Sequence, residues 1–149
     1  WAEVLSGQVT KVIDGDTFIF MDDAYQSHTV RILGIDAPEF HQAYGKESKY
    51  SLDALIGMQS VSVKTTKQDQ YQRTLGKVFL AGEDIGLTQI KRGLAWHYKG
   101  AKKSRKDEDF ALYAQAHKQA KTQKIGLWQD AKPQSPARWR YYHKRPKAE

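Results

Sequence analysis

An α+β fold, a five-stranded OB-type β-barrel with about three helices packed against it, is the class this sequence predicts, and three observations predict it. Five β-rich segments are separated by turn signals, one amphipathic helical stretch falls between the third and fourth of them, and the remaining helical periodicity follows the fifth. A length of 149 residues, 40% hydrophobic and 28% charged, suits a single domain with a core of its own.

Gln8 to Asp14 and Thr17 to Met21 are strand-like runs joined at Asp14-Gly15, a hairpin signal. Alone, that pair would be a turn whose aspartates serve local backbone donors. The polar segment Asp22 to Gln26 leads into a third strand, His28 to Asp36, with aliphatic Val30, Ile32, Leu33 and Ile35. Pro38 lacks an N–H and forces Ala37 into an extended conformation, so pairing should stop just after Asp36. Asp36 and Glu39 then stand at the open end of a strand, which holds carboxylates more rigidly than a loop, with Arg31 upstream. Tyr44, Ser48, Ser51/Leu52 and Leu55/Ile56 recur at helical spacing, predicting a helix over Ala43 to Ile56 that stops near Gly57. Ser60 to Thr66 and Arg73 to Leu80 supply the last two strands. Ile85 to Lys91 is a short helix ended by Gly93, and Lys106 to Gln123 a longer one whose stripe of Phe110, Tyr113/Ala114 and His117 reads as packing. The domain therefore covers residues 1 to 130, and residues 131 to 149 form a basic tail containing prolines and aromatics. In that tail Trp139 is expected to dock onto the domain while the end frays. The competing reading of Arg138 to Arg145 is a run that stacks on bases and holds phosphates.

The absence of cysteine excludes disulfides, thiolate zinc sites and cysteine nucleophiles. The five histidines show no paired ligand spacing, and His97-Tyr98-Lys99 begins a His-x-Lys motif whose required aspartate is replaced by Ser104. No apolar run approaches a membrane span, so no membrane insertion is expected. Net charge is +7, unevenly spread: through residue 90 there are 8 basic and 12 acidic residues, and from Lys91 onward 16 basic and 5 acidic. The acidic part suits a hard cation and the basic part suits a polyanion.

The turn Asp14-Gly15-Asp16-Thr17, the strand Arg31 to Glu39 of the form Arg-x-x-x-x-Asp-x-Pro-Glu, and Asp69-x-Tyr71-x-Arg73 occur in this order. Together they resemble the staphylococcal nuclease (thermonuclease) family. Tyr44 to Glu47, Arg92 to Trp96 and Gly126 to Trp128 are similar to that family's structural landmarks, so the likeness spans roughly residues 8 to 140.

Asp16 and Asp36 are acceptor-only groups brought together from two strand ends, and they suit calcium, which tolerates irregular coordination by carboxylates, carbonyls and water. The resemblance implies the main-chain carbonyl of Ala37 as a further ligand, at a position where the staphylococcal enzyme has threonine. It also implies that Glu39 acts on the attacking water, either orienting or deprotonating it. Arg31 and Arg73 would clamp the scissile phosphate with planar, permanently charged forks. Tyr71 resembles the tyrosine that contacts a nucleotide phosphate, and Tyr98 is a second candidate. Two departures stand out: only Phe40 to Ala43 separates Glu39 from the helix, where the staphylococcal enzyme has a longer loop, and Gln70 replaces a lysine.

The activity so implied is that of a calcium-dependent phosphodiesterase, an endonuclease cutting DNA and RNA with little sequence specificity and leaving 3′-phosphate ends. Single strands would be preferred, and the protein would be a monomer. The alternative is a non-catalytic OB-fold nucleic-acid-binding module, against which the full set Asp16, Arg31, Asp36, Glu39 and Arg73 argues. A protein-interaction domain acting through the tail rests on aromatic content alone. A calcium affinity limited by two carboxylates fits millimolar calcium, and the chain begins at Trp1 rather than Met. Both point to a secreted or periplasmic protein.

Overall fold

The structure, a computed structural model, describes residues 3–68, 72–98 and 107–144. Strands β1 (Glu3–Asp14), β2 (Thr17–Asp22) and β3 (Ser27–Ile32) form an antiparallel meander. The two-residue strand β4 (Ile35–Asp36), helix α1 (Gly45–Ile56), β5 (Ser60–Gln68), β6 (Thr74–Leu80) and β7 (Glu83–Asp84) follow. Beyond them come α2 (Ile85–Lys91), β8 (Trp96–His97), α3 (Asp107–Thr122), a 3-10 turn at Gly126–Gln129 and α4 (Pro136–Tyr142).

The barrel is the expected one. β1 pairs antiparallel with β2 through its C-terminal part and with β5 through its N-terminal part, from Glu3↔Thr65 to Gln8↔Ser60. β5 pairs with β6, and a parallel β3–β6 ladder from Val30↔Thr74 to Ile32↔Gly76 closes the circle. Register shifts between Val9 and Lys11 and between Val12 and Asp14 bend β1 so that one strand serves both neighbours. Val9, Phe18, Phe20, Val30, Val63 and Val78 are fully buried in the same cluster as Leu52 and Ile56 of α1 and Ile85 and Ile90 of α2. The alternation of inward and outward residues that marked the strands in the sequence is thus the pleat itself.

The predicted third strand, His28 to Asp36, is two strands. The chain turns at Leu33-Gly34, where Gly34 has φ 86, a conformation that disfavours any side chain. β4 beyond the turn leaves the barrel and pairs with β8, Ile35 against His97 and Asp36 against Trp96. Arg31 clasps the turn, its Nη1 donating to the carbonyls of Ile32 (2.9 Å) and Ile35 (2.7 Å), one on each side. Helix α1 begins at Gly45 instead of Ala43 because Tyr44 is left-handed at φ 68. The predicted stripe on α3 does pack: Tyr113 is buried and its hydroxyl donates to Asp84, and the His117 ring lies against Trp96 and Trp128.

The tail carries a fourth helix. Ser135 caps α4 by accepting from the Arg138 N–H, Pro136 occupies its first turn, and Gln42 Nε2 donates to the Gln134 carbonyl at 2.6 Å. Trp139, expected to dock the tail, lines a cavity of about 310 Å³ with Pro38, Gln42 and Trp96. The tail's end, from residue 145, lies outside the described residues.

Gln89 on α2 decides how the helices seat on the barrel. It is 0% exposed, its Nε2 donates to the carbonyls of Gly15 (2.9 Å) and Ser48 (3.0 Å), and its Oε1 accepts from Ser51 Oγ (2.6 Å). One buried amide therefore joins α2, α1 and the β1–β2 turn. A Cβ at Gly15 would fall on the Ser48 hydroxyl, so this turn and α1 meet only because residue 15 is glycine. Gln89→Leu keeps the volume but leaves the Gly15 carbonyl buried and unpaired. It should cost about 1–3 kcal/mol of stability, read from the denaturation midpoint at unchanged slope.

Candidate active site

Two strand junctions build the site. The β1–β2 turn carries Asp14 and Asp16, and β4 ends at Asp36 just before Ala37. Asp16 Oδ1 accepts from Thr17 Oγ1 at 2.8 Å, and Asp16 Oδ2 accepts from the Ala37 N–H at 2.8 Å. This second bond ties the junctions to each other. The Asp16 carbonyl also accepts from the Ile32 N–H at 2.8 Å. Asp16 and Asp36 are each only 6% exposed, yet Arg31 Nη2 stands 3.5 Å from Asp16 Oδ2 and 3.3 Å from Asp36 Oδ1. A positive group thus already sits between the two carboxylates.

Glu39 follows at the rim with its side chain 30% exposed. Its N–H donates to Gln42 Oε1 at 3.0 Å, and its carbonyl accepts from the Gln42 N–H at 2.9 Å, a local turn that fixes where the side chain leaves the backbone. Arg140, on α4, reaches back over the rim. Its Nη1 donates to Glu39 Oε1 (2.8 Å) and Asp36 Oδ1 (3.3 Å), and its Nη2 donates to Asp36 Oδ2 (3.1 Å).

The electrostatics are those of too many carboxylates in too little water. Burial, then the charges of Asp16 and Glu39, push the Asp14 carboxyl up to about 6. Asp36 is also raised, by burial, although its bond from Arg140 and the charge of Arg31 pull the other way. Burial works against the Arg140 charge too, but its bonds to Asp36 and Glu39 outweigh it and hold the guanidinium protonated. Among the described residues no three or more His, Cys, Asp or Glu side chains form a metal cage. A cation between Asp16 and Asp36 would draw its other ligands from main-chain carbonyls and water. The donors are oxygens throughout, buried and in excess of local positive charge, a set that fits a hard divalent ion.

Of the residues singled out in the sequence, the structure brings Asp16, Arg31, Asp36, Ala37 and Glu39 together. Arg73 immediately precedes β6, the parallel neighbour of Arg31's strand, and is half-buried. Tyr98 lies next to β8, its N–H donating to the Gly34 carbonyl at 2.9 Å and its ring 45% exposed. Tyr71 and Gln70 lie outside the described residues. Three participants were not picked out: Asp14 as a titrating neighbour, Gln42 as the group that holds the Glu39 backbone, and Arg140. A signal for the last existed, since Ser135-Pro136 is a helix start that makes Arg140 part of an ordered element.

Comparison with known proteins matches residues 29 to 130 to a family described as "Staphylococcal nuclease homologue". The chain is 37% identical to an "Uncharacterized endonuclease" of Haemophilus influenzae over 92% of this chain and 74% of the relative. It is 34% identical to a "Micrococcal nuclease" of Shigella flexneri over 94% of this chain and 82% of the relative. A "Staphylococcal-like nuclease CAN1" of Arabidopsis thaliana is 32% identical over 74% of this chain but 32% of that longer protein.

Asp14 makes a prediction about pH. Its carboxyl titrates near 6 in the folded protein against 3.8 ordinarily, so the native state alone resists its ionisation. Below about pH 4 both states are protonated and no penalty exists. As pH rises to about 6 the penalty grows to its full value. Asp14→Asn should therefore raise the unfolding midpoint at pH 7 and leave it unchanged at pH 4, measured by thermal denaturation across that range.

Proposed function

Because the chain belongs to the family of staphylococcal nuclease homologues, we propose that it is a calcium-dependent endonuclease, a phosphodiesterase cutting DNA and RNA with little sequence preference and leaving 3′-phosphate ends. The observation that carries this reading is the pairing of buried Asp16 and Asp36 from two strand junctions, with Arg31 between them and Glu39 at the open rim.

Asp16, Asp36 and the main-chain carbonyl of Ala37 are the groups to hold the cation, which when bound supplies a Lewis acid that stabilises charge on a phosphoryl oxygen. Calcium suits them better than magnesium, because the set is short of protein ligands and irregular. Glu39 acts on a water in this reading, supported by a partly solvent-facing side chain and a backbone held by Gln42. Whether it orients that water or accepts its proton, the rigid backbone keeps it aimed. Arg31 and Arg73 supply fixed positive charge from neighbouring strands and should bind the transition state better than the ground state as charge accumulates on the phosphoryl oxygens. Tyr71 and Tyr98 are the nucleotide contacts in this reading.

The basic C-terminal part fits a nucleic-acid partner, with flexible single strands entering most readily. Among the described residues no helix is long and apolar enough to cross a membrane. A cation site with two carboxylates works best where calcium is millimolar, so a secreted or periplasmic protein is proposed.

Nuclease activity on single-stranded DNA should vanish with a calcium chelator and return with added calcium. Cleavage indifferent to the chelator would refute the cofactor, and 3′-phosphate ends are checked by end-group analysis of the products. The two arginines should separate in their effects. Arg73→Ala should lower the single-turnover rate at saturating enzyme by about 10² to 10³. Arg31→Ala should lose a comparable rate and also stability, because Arg31 holds the carbonyls of Ile32 and Ile35. Unchanged saturating rates in both variants would remove the arginines from the chemistry.

A further inference from the structure

Arg140 lies beyond the 29–130 span of the family match, yet it makes the densest set of polar contacts at the site rim. Its two terminal nitrogens take both oxygens of Asp36, the fork-to-fork geometry in which guanidinium binds carboxylate most specifically. The same Nη1 takes Glu39. A cation held by Asp36 needs at least one of those oxygens. Guanidinium and cation are therefore rivals for one carboxylate.

Arg140 is also built to be displaced without being lost. Its side chain is 46% exposed, so water can solvate it when it leaves the carboxylates. Its helix stays tethered through Gln42 to the Gln134 carbonyl, and Trp139 lines the same cavity as Pro38 beside the site. A guanidinium that lets go of Asp36 thus remains within one side-chain length of it. The surface it would then share is fit for a nucleic-acid strand: Tyr141 and Tyr142 on α4 are exposed, and Arg138 and Lys144 lie over their rings.

We propose that Arg140 is a third arginine of the site with two partners in turn: Asp36 and Glu39 in the cation-free protein, and a backbone phosphate of the bound nucleic acid once the cation has taken Asp36. Neither partner of the exchange is left unpaired, since a divalent ion takes the guanidinium's place among the carboxylates while the guanidinium moves to an anion that arrives with the substrate. The tail so becomes part of the substrate site. This inference rests on the proposed cation site at Asp16 and Asp36.

The test uses Arg140→Gln and Arg140→Lys in the full chain. Calcium binding is followed by calorimetry, and binding of a short cleavage-resistant phosphorothioate oligothymidylate in saturating calcium is followed by anisotropy at several salt concentrations. Arg140→Gln should bind calcium about tenfold more tightly than the parent, because the rival hydrogen bonds are gone. Its slope of log affinity against log salt for the oligonucleotide should fall by about 0.7, the loss of one phosphate contact. Arg140→Lys, which keeps the charge without the fork, should fall between parent and Gln in calcium affinity and keep the parent's slope. Calcium affinity equal to or weaker than the parent's in the Gln variant overturns the rivalry, and an unchanged slope overturns the phosphate contact. If parent and variants alike ignore calcium, the cation site itself is wrong.

Discussion

The 2.8 Å hydrogen bond from the Ala37 N–H to Asp16 Oδ2 joins two strand junctions that are 21 residues apart in the chain. It costs no extra side chain, since a backbone donor next to one carboxylate is satisfied by the other carboxylate. The consequence is that Asp16 and Asp36 cannot drift apart without exposing an unpaired buried N–H. Thr17 Oγ1 takes the remaining oxygen of Asp16, so the carboxylate is oriented from both sides. A pair of like charges is thus oriented by uncharged donors to Asp16 and bridged by the guanidinium of Arg31.

That geometry is maintained from below by polar groups in a largely aliphatic interior. Gln89 grips the Gly15 carbonyl, and Ser48 donates to the Leu94 carbonyl at 2.6 Å, so the turn bearing Asp16 is referenced to α1 and α2 as well as to its own strands. Arg31 does the corresponding work for Asp36 by gathering the carbonyls of Ile32 and Ile35. Its guanidinium is thus a structural keystone of the β3–β4 turn and, in the proposed mechanism, a phosphate ligand. Five N–H groups in a fork allow one side chain both tasks, which lysine could not do.

Placing Asp14, Asp16, Asp36 and Glu39 around one opening leaves a local deficit of positive charge. Burial first, and then the charges of Asp16 and Glu39, raise the Asp14 carboxyl to about 6. Arg140 reaches across the rim to pair with two of these carboxylates, Asp36 and Glu39, and the proposed divalent cation would answer the same deficit. In the proposed exchange, an exposed guanidinium on a tethered helix can leave the carboxylates at less cost than a buried one.

The barrel was legible in the sequence from local signals, namely β-branched runs, Asp-Gly and a proline after the last paired residue, and the grouping of Asp16, Arg31, Asp36, Ala37 and Glu39 from ordered motifs that resemble the staphylococcal nuclease family. What the sequence concealed was set by long-range partners. The break at Leu33-Gly34 looked like uninterrupted strand, because the aliphatic run continues through it and the clasp of Arg31 on the carbonyls of Ile32 and Ile35 has no hydrophobic signature. Gln89 looked like one polar residue of a short helix, and its burial depends on α1 and the Gly15 turn arriving at the same place. Arg140 was readable as basic, but its contact with Asp36 spans 104 residues and exists only after the barrel presents the carboxylates and α4 is capped beside them. Local chemistry determined which groups the chain carries into its site. Only tertiary packing decided which of them share charge, because burial and distance, the two quantities that set an ion pair's strength, are undefined until the chain has closed.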